Sequence, residues 1–296
     1  MSLQHLRSFV EVYRCLSISE AARTLGLTQP AVSQHISALE AQLDRKLFSR
    51  RPRGVVPTAL AHDLANQIGN GLDRAELALA TMKARSTILS GTVHIAGPPE
   101  LLAEKIAPRL KVLQASGLDM RLHLGGKASL YEMLPAGDVD LAFTASEPKD
   151  KRLGAQQVGT ETLLAVAAPP MAKNIGKYPT VKEALRTEPH VAYDTERPLL
   201  RDWCADNGVD MAGRLPAATA PDLRMVRALV ENEVGWSVIP DYLCSRALAA
   251  GSLTVIATAA PPSRNQFFLV WGKSSLRHPR IAFARSALLG AEDAET

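Results

Sequence analysis

Residues 19–58 read SEAARTLGLTQPAVSQHISALEAQLDRKLFSRRPRGVVPT, and this stretch decides the N-terminal fold. Ser19 is the expected N-cap of a short helix carrying Ala21, Ala22 and Leu25, and Gly26 can take the left-handed conformation that ends it. Thr28 caps a following helix. Its first turn accepts Pro30, because the opening N–H groups of a helix have no partner inside it. Val32, Ile36, Leu39 and Leu43 recur at helical steps and give an inner face, with Pro30, Ser33, Gln34 and Ser37 opposite. That outer face is short, polar and uncharged, where Lys and Glu would be expected on a merely solvated helix. Two helices joined by a tight glycine turn, the second capped and polar outside, form the layout of a helix-turn-helix whose second helix enters the DNA major groove. A generic helical hairpin is the alternative.

On the N-terminal side, Leu3, Leu6, Phe9, Val10 and Tyr13 repeat at helical spacing and predict a first helix. On the C-terminal side, Arg45, Lys46, Arg50, Arg51 and Arg53 cluster around Leu47-Phe48 and Pro52-Arg53-Gly54, followed by Val55-Val56. This reads as a β-hairpin with a basic tip, a wing that can lay arginine along phosphates or into a minor groove. Charge agrees with it. Residues 1–58 hold eight Lys and Arg against four Asp and Glu, and the rest holds 26 against 26, so the whole net charge of +4 sits in the first fifth of the chain. A basic module on a neutral body points the module at a polyanion and leaves the body free for another task.

The run from Leu6 to Leu60 resembles the winged helix-turn-helix of LysR-type transcriptional regulators, through Ala21-Ala22, Thr28-Gln29-Pro30-Ala31-Val32-Ser33, Leu39-Glu40, Leu47-Phe48 and Arg50 through Thr58. The 296-residue length also suits that family. The resemblance implies a DNA-binding set drawn from Ser19, Thr28, Gln29, Pro30, Ser33, Gln34, Ser37, Arg50, Arg51 and Arg53. Gln29, Pro30, Ser33 and Gln34 would face the major groove and Arg53 would serve the wing. Members often carry Arg where this chain has Gln34. Arg reads guanine bidentately and Gln favours adenine, so the operator bases opposite Gln34 are expected to differ.

From Thr58 to about Lys83 the stripe Leu60, Leu64, Ile68, Leu72, Ala75, Leu79 and Met82 predicts one long helix with a narrow apolar seam. Gly69 and Gly71 weaken it by roughly 1 kcal/mol each relative to Ala, so a partner must support it. In the resembling family this is the linker helix that pairs two subunits; packing on its own C-terminal domain is the alternative. Beyond Ser90-Gly91, strands and helices alternate, which predicts a parallel sheet covered by helices. Strands are expected at 92–96, 120–124, 139–143, 190–193, 235–239 and 267–271, and helices at 100–115, around 130–134, at 221–233, after Pro240 and at 280–289. Pro169-Pro170 interrupts the apolar run 163–168.

The expected fold class is therefore α/β behind an α-rich winged helix-turn-helix. The domains are 1–58, a linker helix at 59–89, and 90–296. The resemblance implies that the last is two periplasmic-binding-protein-like subdomains, about 91–165 with 268–296 and about 166–267, with a small-molecule effector between them. Strand ends supply the candidate effector residues Pro98, Pro99, Glu100, Lys127, Thr144, Asp194 and Arg197. Family members commonly place Ser or Thr near 98 and 99, where a hydroxyl and helix N–H groups catch a carboxylate. Two prolines and an acid stand here, so an effector carboxylate would have to use Lys127 or Arg197, or the effector is cationic. The linker helix separates cleft from recognition helix, so coupling is expected to pass through subdomain or subunit arrangement.

Other classes fall away. No run approaches the ~18 apolar residues of a membrane span, and the N-terminus lacks a secretory apolar region, so a cytoplasmic protein is expected. Cys15, Cys204 and Cys244 lie far apart without a C-x-x-C pair, which leaves at most a redox role for Cys204 or Cys244. Trp271-Gly272-Lys273-Ser274 lacks the upstream glycine of a phosphate loop, and no hydrolase or metalloprotease motif occurs. No catalytic residue, metal or cofactor is expected. The reading is a homodimeric or homotetrameric regulator of LysR type binding an inverted-repeat operator in double-stranded DNA, its oligomer set by an unidentified effector. The alternative is a small-molecule enzyme or transport-type binding protein with an appended nucleic-acid-binding module.

Overall fold

The computed structural model describes residues 2–51, 54–86 and 89–290. Helix α1 (Leu3–Cys15) opens on Ser2, whose side chain accepts the Gln4 N–H, and closes on Leu16 in the left-handed region. Helix α2 (Ile18–Leu25) is capped by Ser17, with Oγ accepting the Glu20 N–H at 3.3 Å. Ser19, expected in that role, is an exposed residue of the first turn. Ser17 has the extended backbone that a cap requires (φ −149°), whereas Ser19 is already helical. Helix α3 (Gln29–Leu43) begins after Thr28, whose Oγ1 accepts the Ala31 N–H.

Strands β1 (Phe48–Arg51) and β2 (Gly54–Pro57) pair antiparallel as the wing. Gly54 has φ 106° and lies against the Leu16 carbonyl, where a Cβ would collide; the Val55 N–H donates to that same oxygen at 3.0 Å. A glycine is therefore required where the wing meets the α1–α2 turn. Phe9, Val12, Ala21, Val32, Ile36, Leu39, Leu47 and Val55 form the core, and Ala21 and Ala22 let the helices approach closely. Leu3, expected on the inner stripe, is 67% exposed; the stripe packs from Leu6 onward.

Helix α4 (Ala59–Ser86) starts at Thr58, whose Oγ1 accepts the Ala61 N–H and donates to the Lys46 carbonyl. Its expected seam is divided in the structure. Leu64, Ile68 and Leu72 pack on the helix-turn-helix core, and Leu60, Ala75, Leu79 and Met82 stay exposed; Leu77, outside that stripe, packs on the core of the C-terminal domain. Part of the stripe thus serves its own chain, because α1 is clamped on α4 by ion pairs from Arg7 to Glu76 and from Arg14 to Asp73 (2.6 Å).

The C-terminal domain begins with β3 (Thr92–Gly97). After it come α5 (Pro99–Leu101), a π turn (Leu102–Ile106), a 3-10 turn (Ala107–Arg109) and α6 (Lys111–Ala115), in place of the single helix expected over 100–115. Pro108 offers no N–H and its ring excludes the preceding carbonyl, so a regular ladder cannot pass. Then follow β4 (Asp119–Leu124), α7 (Lys127–Ala136), β5 (Leu141–Thr144) and β6 (Leu153–Ala167). The second subdomain comprises α8 (Pro169–Ile175), α9 (Val181–Thr187), β7 (Val191–Ala192), α10 (Pro198–Asn207), β8 (Ala218–Thr219), α11 (Leu223–Glu231), β9 (Ser237–Pro240), α12 (Asp241–Ala250) and β10 (Thr254–Val255). The chain returns through β11 (Arg264–Gly272) to a 3-10 turn (Lys273–Arg277) and α13 (Pro279–Gly290).

The sheet runs β10-β6-β11-β5-β3-β4, with β9 also on β6. Only β3 with β4 and with β5 is parallel in it; β6 and β11 pair antiparallel with their neighbours, which corrects the all-parallel expectation. The 15-residue β6 was not expected, since Gln156-Gln157 and Thr160-Glu161-Thr162 mask its apolar period. It pairs with β11 up to Thr162 and with β9 from Leu163, so the crossing falls a few residues before Val166. Pro169-Pro170 begins α8 instead of merely interrupting the run, as proline can at a first helical turn. Separate cores fill the two subdomains: around Val93, Ile95, Leu141, Leu269 and Ile281 in the first, and in the second around Leu185 and Trp236 and, apart from these, around Val226 and Ile239.

Candidate DNA-facing surface and effector cleft

The outer face of α3 presents Gln29, Pro30, Gln34 and Ser37 exposed and Ser33 half-buried, while Val32, Ile36 and Leu39 anchor the opposite face. Thr28 is exposed at the cap. Arg51 is exposed on β1; Arg53 lies outside the described residues, as does the side chain of Arg50. Glu40 fixes the wing to the helix: its carboxylate, 8% exposed, accepts the N–H groups of Leu47 (2.9 Å) and Phe48 (3.2 Å) and the Lys46 ammonium (2.7 Å). Burial would raise its pKa, but these donors hold it below the usual carboxylate range. Sequence reasoning noted Glu40 only as part of a motif. Its isolation among apolar neighbours on the inner face was the available signal. His35 binds Ser8 Oγ through Nδ1 at 2.8 Å, a role in packing α3 on α1.

The linker helix does not keep the DNA-binding module away from the C-terminal domain. Arg152 bridges Asp150 (2.7 Å) and Glu20 of α2 (2.9 Å), Arg277 donates to the Thr24 carbonyl at 2.9 Å, and the Lys151 ammonium lies 5.5 Å from the Tyr13 ring centroid. These contacts join residues far apart in sequence, so no local pattern announces them.

A cavity of about 350 Å³ opens between the subdomains. Pro98, Glu100 and Leu101 line it from the end of β3, Thr144 and Ser146 from the end of β5, and Glu161, Asn265 and Phe267 from the crossing strands. Tyr193, Leu199, Leu223 and Tyr242 close it from the second subdomain, with Arg201 and Asp202 paired at 2.9 Å on its rim. Glu161 and Asn265 are opposed in the β6–β11 register, and the amide donates to the carboxylate at 2.8 Å. Burial pushes the Glu161 carboxyl up to about 7, against the bond from Asn265; burial also raises Glu100.

Of the expected effector residues, Pro98, Glu100 and Thr144 meet in this cavity. Pro99 opens α5 without lining it, and Lys127 begins α7 beside the lining residue Gly126, its side chain outside the description. Asp194 and Arg197 do not join them: the Asp194 carboxylate accepts the Arg197 N–H at 2.7 Å. The Arg197 guanidinium turns away to the Arg214 carbonyl (2.7 Å) and His190 (3.4 Å). Arg197, at φ 53°, is a structural cap preceding α10. Glu161, Asn265, Tyr193 and Tyr242 were missed. Glu161 lies on the unrecognised β6, Asn265 just before the strand expected at 267–271, Tyr193 at the end of an expected strand and Tyr242 in the helix after Pro240, and only the tertiary fold brings them together beside β3. Cys204 and Cys244 are buried, and burial pushes their thiols up to about 12, which disfavours the thiolate.

A winged helix-turn-helix joined by one helix to a two-lobed α/β domain with a cleft defines a DNA-binding regulator with a ligand-binding domain. The family described as "LysR substrate binding domain" matches residues 87–291, and "Bacterial regulatory helix-turn-helix protein, lysR family" matches residues 3–62. The chain belongs to the LysR family of bacterial transcriptional regulators. It is 36% identical to the HTH-type transcriptional regulator AbaB of Streptomyces antibioticus over 99% of both chains. It is 26% identical to the RuBisCO operon transcriptional regulator of Allochromatium vinosum over 98% of this chain and 96% of that one. CrgA, a LysR-type transcriptional regulator from Neisseria meningitidis, has the same fold: TM-score 0.59 at 20% identity, covering 98% of this chain and 99% of that one. The reading as an enzyme or transport protein with an appended module finds no support in these likenesses. Among the described residues, no helix is long and apolar enough to cross a membrane.

Proposed function

We propose that this regulator binds an inverted-repeat operator as a homodimer, with Gln29, Pro30, Ser33, Gln34 and Ser37 toward base edges and Thr28, Arg50, Arg51 and Arg53 toward phosphates. The observation that carries this is the polar, uncharged and exposed outer face of α3 beside a basic wing. Base contacts specify and phosphate contacts position, and the two sets of residues divide along that line. Leu79 and Met82, 60% and 68% exposed on α4, favour a second copy as the cover of that face, and dimers pair further into tetramers. Two recognition helices then meet successive major grooves roughly 34 Å apart. The protein acts in the cytoplasm, where its DNA lies.

An effector occupies the cleft, touching Pro98, Glu100, Thr144 and Glu161, and shifts the equilibrium between two arrangements by its differential affinity for them. Lys127 begins α7 next to the lining residue Gly126. DNase footprinting of the full chain tests the reading: two protected half-sites one or more helical turns apart are expected, weakened by Arg51→Ala. A single asymmetric footprint indifferent to that substitution would overturn it.

A further inference from the structure

The cleft holds two buried carboxyl groups, and among the described side chains no Lys or Arg forms an ion pair with either, although Arg224 acts on Glu100 and Lys105 on Glu161 through space. Glu100 and Glu161 are each 4% exposed, both line the cavity, and Oε2 of each has no hydrogen-bond partner. Neighbouring cations are engaged elsewhere. Arg224 binds Asp222 through two nitrogens (2.7 and 3.0 Å), Arg201 binds Asp202, and Lys105 lies 5.1 Å from the Tyr242 ring centroid. A buried carboxylate without a paired cation costs several kcal/mol on general grounds, so a site that keeps two is built for positive charge arriving from outside. The remaining lining agrees. Tyr193, Tyr242 and Phe267 present aromatic surface suited to a cation, and Leu101, Leu199, Leu223 and Pro240 present apolar surface suited to a carbon skeleton. The features that would hold an anion are missing at the matching place: Pro98 and Pro99 have no N–H, and α5 has only three residues.

We infer that the cleft takes a small organic cation, an ammonium or guanidinium on an apolar body, with its charge between Glu100 and Glu161. This rests on the reading of the cleft as the effector site and names the ligand class. A guanidinium fork matches the two unpartnered oxygens best, since its N–H groups can reach separate acceptors. Glu161 sits on β6 opposite Asn265 of β11, the two strands that join the subdomains, and Glu100 comes from the end of β3. A cation bound to both therefore ties the first subdomain to the crossing strands.

The test uses the full chain and three matched probes, butylguanidinium, its neutral isostere butylurea, and pentanoate, in titration calorimetry up to ~10 mM with thermal unfolding alongside. Butylguanidinium is expected to bind at least ~tenfold more tightly than the other two and to raise the unfolding midpoint. Glu100→Gln and Glu161→Gln should each weaken it at least ~tenfold, and Glu132→Gln, exposed on α7, should leave it within about twofold. Should a glutamine variant not fold, calorimetry of the wild type at pH 6.5 in two buffers decides. Net proton release on butylguanidinium binding supports the inference, and none overturns it, because the cation needs the ionised Glu161 among Glu100, Asp241, Lys105, Tyr242 and Asn265. Equal binding by the glutamine variants, preference for pentanoate, or binding of none of the probes would also overturn it. Pentanoate binding that is lost in Ala145→Trp, which fills the cavity, would keep the cleft as an effector site and remove only the cation.

Discussion

The outer face of α3 and the cleft between the subdomains are both polar surfaces, yet they are built in opposite ways. On α3 the side chains proposed to face DNA are uncharged and lie along one continuous helix, exposed except for the half-buried Ser33, and that helix's one buried charge, Glu40, is satisfied by three donors. In the cleft the residues come from separate strand ends and helices, and the buried carboxyl groups of Glu100 and Glu161 are left with unpartnered oxygens. A DNA-reading face needs groups free to bond bases, with attraction supplied by an adjacent basic wing that salt screens. The cleft instead holds carboxyl groups that burial pushes toward the protonated form, so a cationic small molecule can supply the charge that lets them ionise.

The largest way to break this contrast is through pH. The folded protein holds the Glu161 proton up to about pH 7, whereas an unfolded chain releases it near 4.5. This group's contribution is therefore full below 4.5 and is lost as pH rises to about 7, about 3 kcal/mol in all. Urea unfolding at pH 5 and pH 8 should show that loss in the wild type and lack it in Glu161→Gln. The difference between the proteins isolates Glu161. His190, held down to about 4 by burial and by Arg197 and Arg214, has the opposite slope, losing stability as pH falls below 6.5. An identical pH profile for both proteins would erase the contrast.

Next in size is Glu40→Ala, which leaves the Leu47 and Phe48 N–H groups without their acceptor and should cost about 2 kcal/mol by urea unfolding. It should also abolish operator binding in a gel shift, since the wing loses its tie to α3. Arg51→Ala should lower the salt slope of DNA binding by about one, with little change in stability. Smallest is Arg152→Ala: its ion pair with Glu20 is about a third exposed on each side, so under ~1 kcal/mol is expected from unfolding curves.

Legibility in the sequence follows the same division. The helix-turn-helix and wing could be read because their contacts are local: Thr28 as cap, Gly26 in the left-handed region and the Val32–Ile36–Leu39 face all lie within one turn-helix unit. The cap at Ser17 was missed by two residues, since Ser17 and Ser19 offer the same chemistry and only backbone geometry separates them. In the cleft, Pro98, Glu100 and Thr144 were legible as strand-end residues. Glu161 and Asn265 were not, because β6 carries polar residues where its period would show and becomes a site only after pairing with a strand about 100 residues later. Arg197 misled because a charged residue after a strand resembles a ligand anchor. Its left-handed backbone and its bond to the Arg214 carbonyl make it structural instead.

The central claim is that α3 reads bases through its uncharged face, and selection of binding sites from random duplexes by the wild type and by Gln34→Ala tests it most directly. The account predicts that Gln34→Ala relaxes preference at one or two positions of each half-site by ~1 to 3 kcal/mol while the half-site spacing is unchanged. Identical preferences at every position for the two proteins would contradict it.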